Sequence, residues 1–131
     1  MCYYKITTTD EVITTSDKVV YKGGVPLISS DVIRGYNDTI ILSLLLKGDS
    51  YGYEISKNIK AITNEEYIIK ETTLYSAFNR LEKNGYIVAY PGEETYGKKR
   101  TYYKITEEGK KYYEEKCEEW KLTKNVINRF I

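Results

Sequence analysis

The sequence predicts a mainly α fold that carries one small β-hairpin and is closed by a long C-terminal helix. Three observations predict it. Apolar residues recur at helical spacing in successive stretches from Ser30 onward. Two β-favouring segments, Tyr86–Tyr90 and Arg100–Thr106, flank a polar loop that begins at Pro91-Gly92. At 131 residues, 41% hydrophobic and 30% charged, the chain has the length and composition of one globular domain.

The elements follow in order. Asp31 or Asn37 is a candidate cap for a first helix, which runs through Ile40, Ile41, Leu42, Leu44, Leu45 and Leu46 and stops at Gly48. A helix apolar on nearly all sides is buried on most of them. Asp49 or Ser50 opens a second helix, with Ile55, Ile59 and Ile62 as its stripe. Tyr67–Lys70 is a short strand candidate. A third helix spans about Glu71–Asn84 and ends at Gly85. The hairpin comes next. Thr106-Glu107-Glu108 then opens a last helix reaching about Phe130, with Tyr113, Cys117, Trp120, Ile127 and Ile131 along one side. Such a stripe suits packing against another helix or subunit. Three helices followed by a two-stranded wing is the layout of a winged helix-turn-helix. The divisions are an N-terminal extension over 1–29, a winged-helix domain over 30–106 and a C-terminal dimerisation helix over 107–131.

Composition excludes several function classes. Histidine is absent, which removes imidazole acid-base chemistry, His-activated nucleophiles and the common zinc sites. Cys2 and Cys117 lie too far apart for a metal-ligand spacing or a disulfide framework. No catalytic constellation remains, so neither an enzyme nor a cofactor is expected. No apolar run of membrane-spanning length and no signal-peptide pattern is present, so the expected address is cytoplasmic. Net charge is only +1, but residues 70–104 hold 7 Lys and Arg against 4 Asp and Glu. A local basic footprint matters more than the average for binding double-stranded DNA.

The third helix divides into two faces. Leu74, Ala77, Phe78 and Leu81 form a core side. Thr72, Ser76, Asn79 and Lys83 lie opposite, flanked by Thr73, Tyr75 and Arg80. Short hydrogen-bonding groups with cations suit a helix in a major groove: Asn pairs with adenine, Arg with guanine, and Ser or Thr with either. A solvated amphipathic face has the same pattern. Lys98, Lys99 and Arg100 at the hairpin tip favour the DNA reading, because a basic wing beside such a helix grips phosphate. Tyr51 is expected to pack and Tyr53 to reach phosphate. The contrasting expectation is a winged-helix protein-interaction module without DNA binding, for which Glu71, Glu82, Glu93 and Glu94 near the same face argue.

Three stretches, RGYNDTIILSLLLKGDSYGYEISKNI (34–59), TLYSAFNRLEKNGYI (73–87) and KKRTYYKITEEGKKYYEE (98–115), resemble the PadR family of bacterial regulators in order and spacing. Ser76 departs from the family, where proline is frequent, and Phe78 stands where leucine is usual. The resemblance implies a homodimer whose C-terminal helix crosses to the other subunit, in the shorter class with one such helix. It also implies a repressor released by a small aromatic or drug-like effector. Planar compounds bind some relatives beside a tryptophan of that helix, which makes Trp120 a candidate effector contact; a packing anchor is the plainer role. Cys117 is expected to be a buried small apolar residue.

Residues 1–26 leave two readings open. Codons for Lys22-Gly23-Gly24-Val25 can spell a ribosome-binding sequence shortly before Leu27, which would make this stretch an untranslated leader. Alternatively, the Thr- and Val-rich runs Tyr3–Ile6, Val12–Thr15 and Val19–Lys22 form a strand-forming arm that adds to the wing or the dimer.

Overall fold

The computed structural model describes residues 20–22 and 25–131. Its elements are strands β1 (Val20–Lys22) and β2 (Val25–Leu27), helix α1 (Ser30–Ile33), a 3-10 turn (Arg34–Tyr36), and helix α2 (Asn37–Lys47). They continue with strand β3 (Ser50–Tyr51), helices α3 (Gly52–Ile62) and α4 (Glu71–Lys83), strands β4 (Ile87–Pro91) and β5 (Thr101–Ile105), and helix α5 (Glu107–Asn128). The fold is the expected one: mainly helical, with a winged-helix body and a long final helix.

The core sits where α2, α3 and α4 meet the sheet. Ile41, Leu42, Leu45, Ile55, Leu74, Phe78, Leu81 and Ile87 are all fully buried. Phe78 stacks on Tyr103 of β5, with ring centroids 4.0 Å apart and planes 16° from parallel. That contact fastens α4 to the wing. The end of α4 is set by its own backbone. Gly85 takes φ +81°, a conformation that suits glycine. Its N–H donates to Glu82 O at 3.0 Å, and the Tyr86 N–H donates to Leu81 O at 2.9 Å. These two bonds form a Schellman stop. Helix α5 starts against this stop. Thr106 Oγ1 accepts from the Gly109 N–H at 3.0 Å and donates to Gly85 O at 2.7 Å. Tyr86 and Tyr112 stack at 4.2 Å.

Several boundaries differ from expectation. The first helix is broken into α1, the 3-10 turn and α2. Neither Asp31 nor Asn37 caps it: Ser29 Oγ accepts the Val32 N–H at 3.3 Å, and α2 follows Tyr36 without a side-chain cap. The second helix begins at Gly52 rather than at 49 or 50, because Ser50 and Tyr51 pair with Tyr103 and Tyr102 as a third strand, giving the order β3-β5-β4. Ile62 is 62% exposed and drops out of the α3 stripe, since α3 ends there while Ile55 and Ile59 stay buried. Tyr67–Lys70 is not a strand. Tyr67 and Ile69 are buried and their neighbours exposed, as in a strand, but the segment pairs with none of the described strands. Cys117 is half-buried rather than buried. Helix α5 stops at Asn128, two residues short of Phe130.

Of the N-terminal extension, Tyr3–Ile6, Val12–Thr15 and Cys2 lie outside the described residues. Strands β1 and β2 pair with each other in a separate antiparallel sheet and not with the wing. The β2 strand takes in Pro26.

Candidate nucleic-acid interface

Helix α4 presents the two faces expected of it. Leu74, Ala77, Phe78 and Leu81 are buried. Thr72, Ser76, Asn79 and Lys83 are exposed, Thr73 is half-buried, and Tyr75 is half-exposed at the flank. Thr72, Thr73, Ser76 and Arg80, with Arg34 and Asn37, line a polar recess of about 210 Å³.

Arg80 behaves differently from its neighbours. Its guanidinium forks onto the Asp38 carboxylate at the start of α2, with Nε 3.1 Å from Oδ2 and Nη2 on Oδ1. The Arg80 side chain is 50% exposed and that of Asp38 15%. The hydrogen bond to Asp38 raises the Arg80 pKa above its ordinary value. Two of its N–H donors are therefore used inside the protein, on a residue 42 positions away in sequence. The helical pattern of α4 carries no sign of this partner.

The wing is built for a rigid tip. The Gly92 N–H donates to Arg100 O at 2.8 Å, extending the β4–β5 ladder. Thr95 and Lys98 then exchange bonds of 2.9 and 3.0 Å around Tyr96 and Gly97. Both central residues have positive φ, +54° and +76°, as a type I′ hairpin turn requires. Lys98 and Lys99 are exposed at this turn, and neither forms an ion pair among the described residues. Arg100 instead folds back. Its Nε donates to Thr95 Oγ1 at 2.7 Å, and its guanidinium lies over the Tyr51 and Tyr53 rings at 5.0 and 5.6 Å. Tyr51 is buried, as expected, while Tyr53 is exposed.

The beginning of α3 joins the wing to α4. Tyr53 meets Tyr96 edge-on at 6.4 Å. On the other side, the Tyr75 hydroxyl lies so close to Gly52 that a Cβ there would sit 2.2 Å from it. The α4 face, the exposed Tyr53 ring and the Lys98-Lys99 tip thus form one continuous surface. Tyr96, 81% exposed, belongs to it and had no signal beyond its place before Gly97.

A second feature lies on the other side of α2. An apolar groove of about 610 Å³ runs between the α1–α2 region and α5, and Ile28, Val32, Tyr36, Ile40, Trp120 and Ile127 are among its walls. Trp120, 44% exposed, meets Tyr36 edge-on at 5.2 Å. Leu122, Val126 and Ile127 on α5, and Phe130 and Ile131 just beyond it, are also exposed, with Leu122 on a different side of the helix from Trp120. Among the described residues no cluster of His, Cys, Asp and Glu could hold a metal ion, and no helix is long and apolar enough to cross a membrane.

Comparison with known proteins agrees with this architecture. The model of the transcriptional regulator PadR-like family matches residues 41–115. A solved transcriptional regulator of Clostridium thermocellum is 74% identical, with a TM-score of 0.74; the alignment covers 80% of this chain and 99% of that one. A PadR family transcription regulator of Clostridium difficile is 41% identical, with a TM-score of 0.62, over 73% of this chain and 98% of the other. An uncharacterised Lysinibacillus sphaericus protein is 50% identical over 105 residues, 80% of this chain and 96% of that protein.

Proposed function

Since the chain belongs to the PadR-like family of transcriptional regulators, we propose that it is a sequence-specific DNA-binding repressor acting as a homodimer in the cytoplasm. In this reading α4 lies in the major groove. Thr72, Thr73, Tyr75, Ser76, Asn79 and Lys83 face the bases and the groove walls, and Lys98 and Lys99 grip phosphate from the wing. Tyr53 adds a phosphate contact. Arg80 and Arg100, each held by intramolecular partners, shape the surface and contribute to its charge. The observation that carries the reading is the continuity of the polar α4 face with a rigid basic tip through the start of α3. No catalytic step and no cofactor belong to it.

The exposed apolar length of α5 supports dimerisation. Exposed apolar residues recur from Trp120 to Ile131, with Trp120 and Ile127 sharing one groove, and clusters of this kind mark interaction sites. With two copies, the two α4 helices read half-sites about one helical turn apart. The groove beside Trp120 suits a small aromatic effector, since it is concave, apolar and lined by an indole and a phenol ring. An effector releases DNA only if it binds two dimer geometries unequally.

Binding to the promoter DNA upstream of the protein's own gene, at two salt concentrations, tests the reading. Specific binding that weakens with salt supports it. No binding at low salt by a folded dimer supports the protein-interaction module instead, for which the exposed Glu71, Glu82, Glu93 and Glu94 speak.

A further inference from the structure

Three consecutive residues at the start of α2 reach three different parts of the molecule. The Tyr36 ring meets Trp120 of α5 edge-on at 5.2 Å, within the apolar groove. Asn37 is only 4% exposed, and its Oδ1 accepts the Tyr67 hydroxyl at 2.5 Å, in the segment that leads into α4. Asp38 forks onto Arg80 in the body of α4. Successive helical residues point about 100° apart, so one short, rigid step can touch α5, the approach to α4 and α4 itself. Burial raises the Tyr67 pKa, while its bond to Asn37 acts in the opposite direction; the phenol stays a neutral donor at physiological pH.

We propose that the Tyr36-Asn37-Asp38 step couples the packing of Trp120 to the pose of α4, with Asp38 as the positioning residue that acts through Arg80. This rests on the DNA-binding reading above and adds regulation to it. The physical requirement is simple. Moving Tyr36 turns the first residues of α2. A forked ion pair tolerates little change in angle, so Asp38 carries Arg80 with it. Helix α4 is then displaced while its core contacts persist. The pair also holds Arg80, at the flank of the reading face, in a fixed orientation.

Spatial adjacency alone does not establish coupling; a double-mutant cycle does. Tyr36→Leu removes the ring contact and Asp38→Asn removes the ion pair while keeping shape. DNA affinity is measured for both single variants and the double variant, on the site that the wild type selects. Tyr36→Leu is expected to weaken binding by at least about threefold alone, and by less than about twofold in the Asp38→Asn background. Tyr36→Phe, which keeps the ring, leaves affinity unchanged. Fold-changes that simply multiply overturn the proposal. Hydrogen exchange of the α4 amides in the free protein gives a readout that needs no DNA. Tyr36→Leu is expected to speed exchange across 74–83 only when Asp38 is present. If this dependence appears in a protein that binds no DNA, the coupling stands and the DNA-binding reading falls. If α4 exchange does not respond to Tyr36→Leu, the coupling is refuted even in a protein that binds DNA well.

Discussion

Replacing both wing-tip lysines, Lys98→Ala with Lys99→Ala, should change the salt dependence of DNA binding more than its sequence preference. The magnitude follows from the surface. Both side chains are exposed on a hydrogen-bonded I′ turn, and neither is held by an ion pair among the described residues. Each can therefore neutralise one phosphate. In the proposed dimer there are four such lysines. Each phosphate contact contributes about −0.9 to the slope of log K against log salt, so the double variant should lose about 3.6 from that slope. Between about 50 and 200 mM salt, wild-type affinity should then fall about 150-fold further than that of the variant. Fluorescence anisotropy on a labelled operator, titrated at several salt concentrations, measures the slope directly. Arg100→Ala serves as a contrast, because Arg100 is bound to Thr95 and stacked over two tyrosine rings. It should cost wing rigidity more than charge. An unchanged slope in the lysine variant, or a changed base preference without loss of affinity, would refute the assignment of the tip to phosphate.

Other consequences concern the frame that holds this surface. Phe78→Ala should destabilise the fold by about 3–5 kcal/mol in urea unfolding, because it empties a fully buried site and removes the stack on Tyr103. A loss below about 1 kcal/mol would mean that Phe78 does not fasten α4 to the wing. Two glycine substitutions should separate. A Cβ at Gly109 would lie 2.1 Å from the Tyr86 carbonyl oxygen, a backbone atom, so Gly109→Ala should cost about 1–3 kcal/mol in thermal unfolding. At Gly52 the obstacle is the end of the Tyr75 side chain, so Gly52→Ala should cost less than about 1 kcal/mol, with helix propensity offsetting the shift; equal costs would contradict the distinction. Tyr90 donates to Asp49 Oδ2 at 2.5 Å, which pushes its pKa up to about 12. The stabilisation from this bond is full below the ordinary tyrosine value near 10 and is lost as pH rises through about 12. Ultraviolet titration of Tyr90→Phe should show one fewer late-titrating phenol than the wild type, the other raised tyrosines remaining; loss of an earlier-titrating phenol instead would rule out that bond.

Much of this architecture was legible in the residues because its signals are local. The buried face of α4 is written in Leu74, Ala77, Phe78 and Leu81, and its stop in Gly85. The hairpin is marked by Pro91-Gly92 and by the β-favouring residues on either side. What escaped depends on contacts between distant parts of the chain. Ser50 and Tyr51 become a strand only because Tyr102 and Tyr103 of β5 lie beside them. Tyr67–Lys70 has the alternation of a strand, since Tyr67 and Ile69 both enter the core, yet none of the described strands pairs with it. The break between α1 and α2 falls in a stretch whose apolar residues continue on both sides, so periodicity alone does not show it.

The interface divides in the same way. Thr72, Ser76, Asn79 and Lys83 are exposed where the helical period puts them, and Lys98 and Lys99 stand at the tip. Arg80 looked equivalent to them. Its partner Asp38 enters from another helix, and nothing in the sequence near either residue pairs the two. Tyr36 was likewise invisible, because its role appears only when α5 brings Trp120 against it. Residues on one face of one element can be read from spacing. Residues that join elements need the fold.

The central claim is that the exposed face of α4 reads DNA sequence. Selection of bound duplexes from a random pool, run in parallel for the wild type and Asn79→Ala, tests it most directly. The wild type should enrich a two-fold-symmetric site with half-sites about 10 bp apart, and Asn79→Ala should lose its preference at one position in each half-site while keeping the rest. A folded wild-type dimer that enriches no sequence would contradict the account.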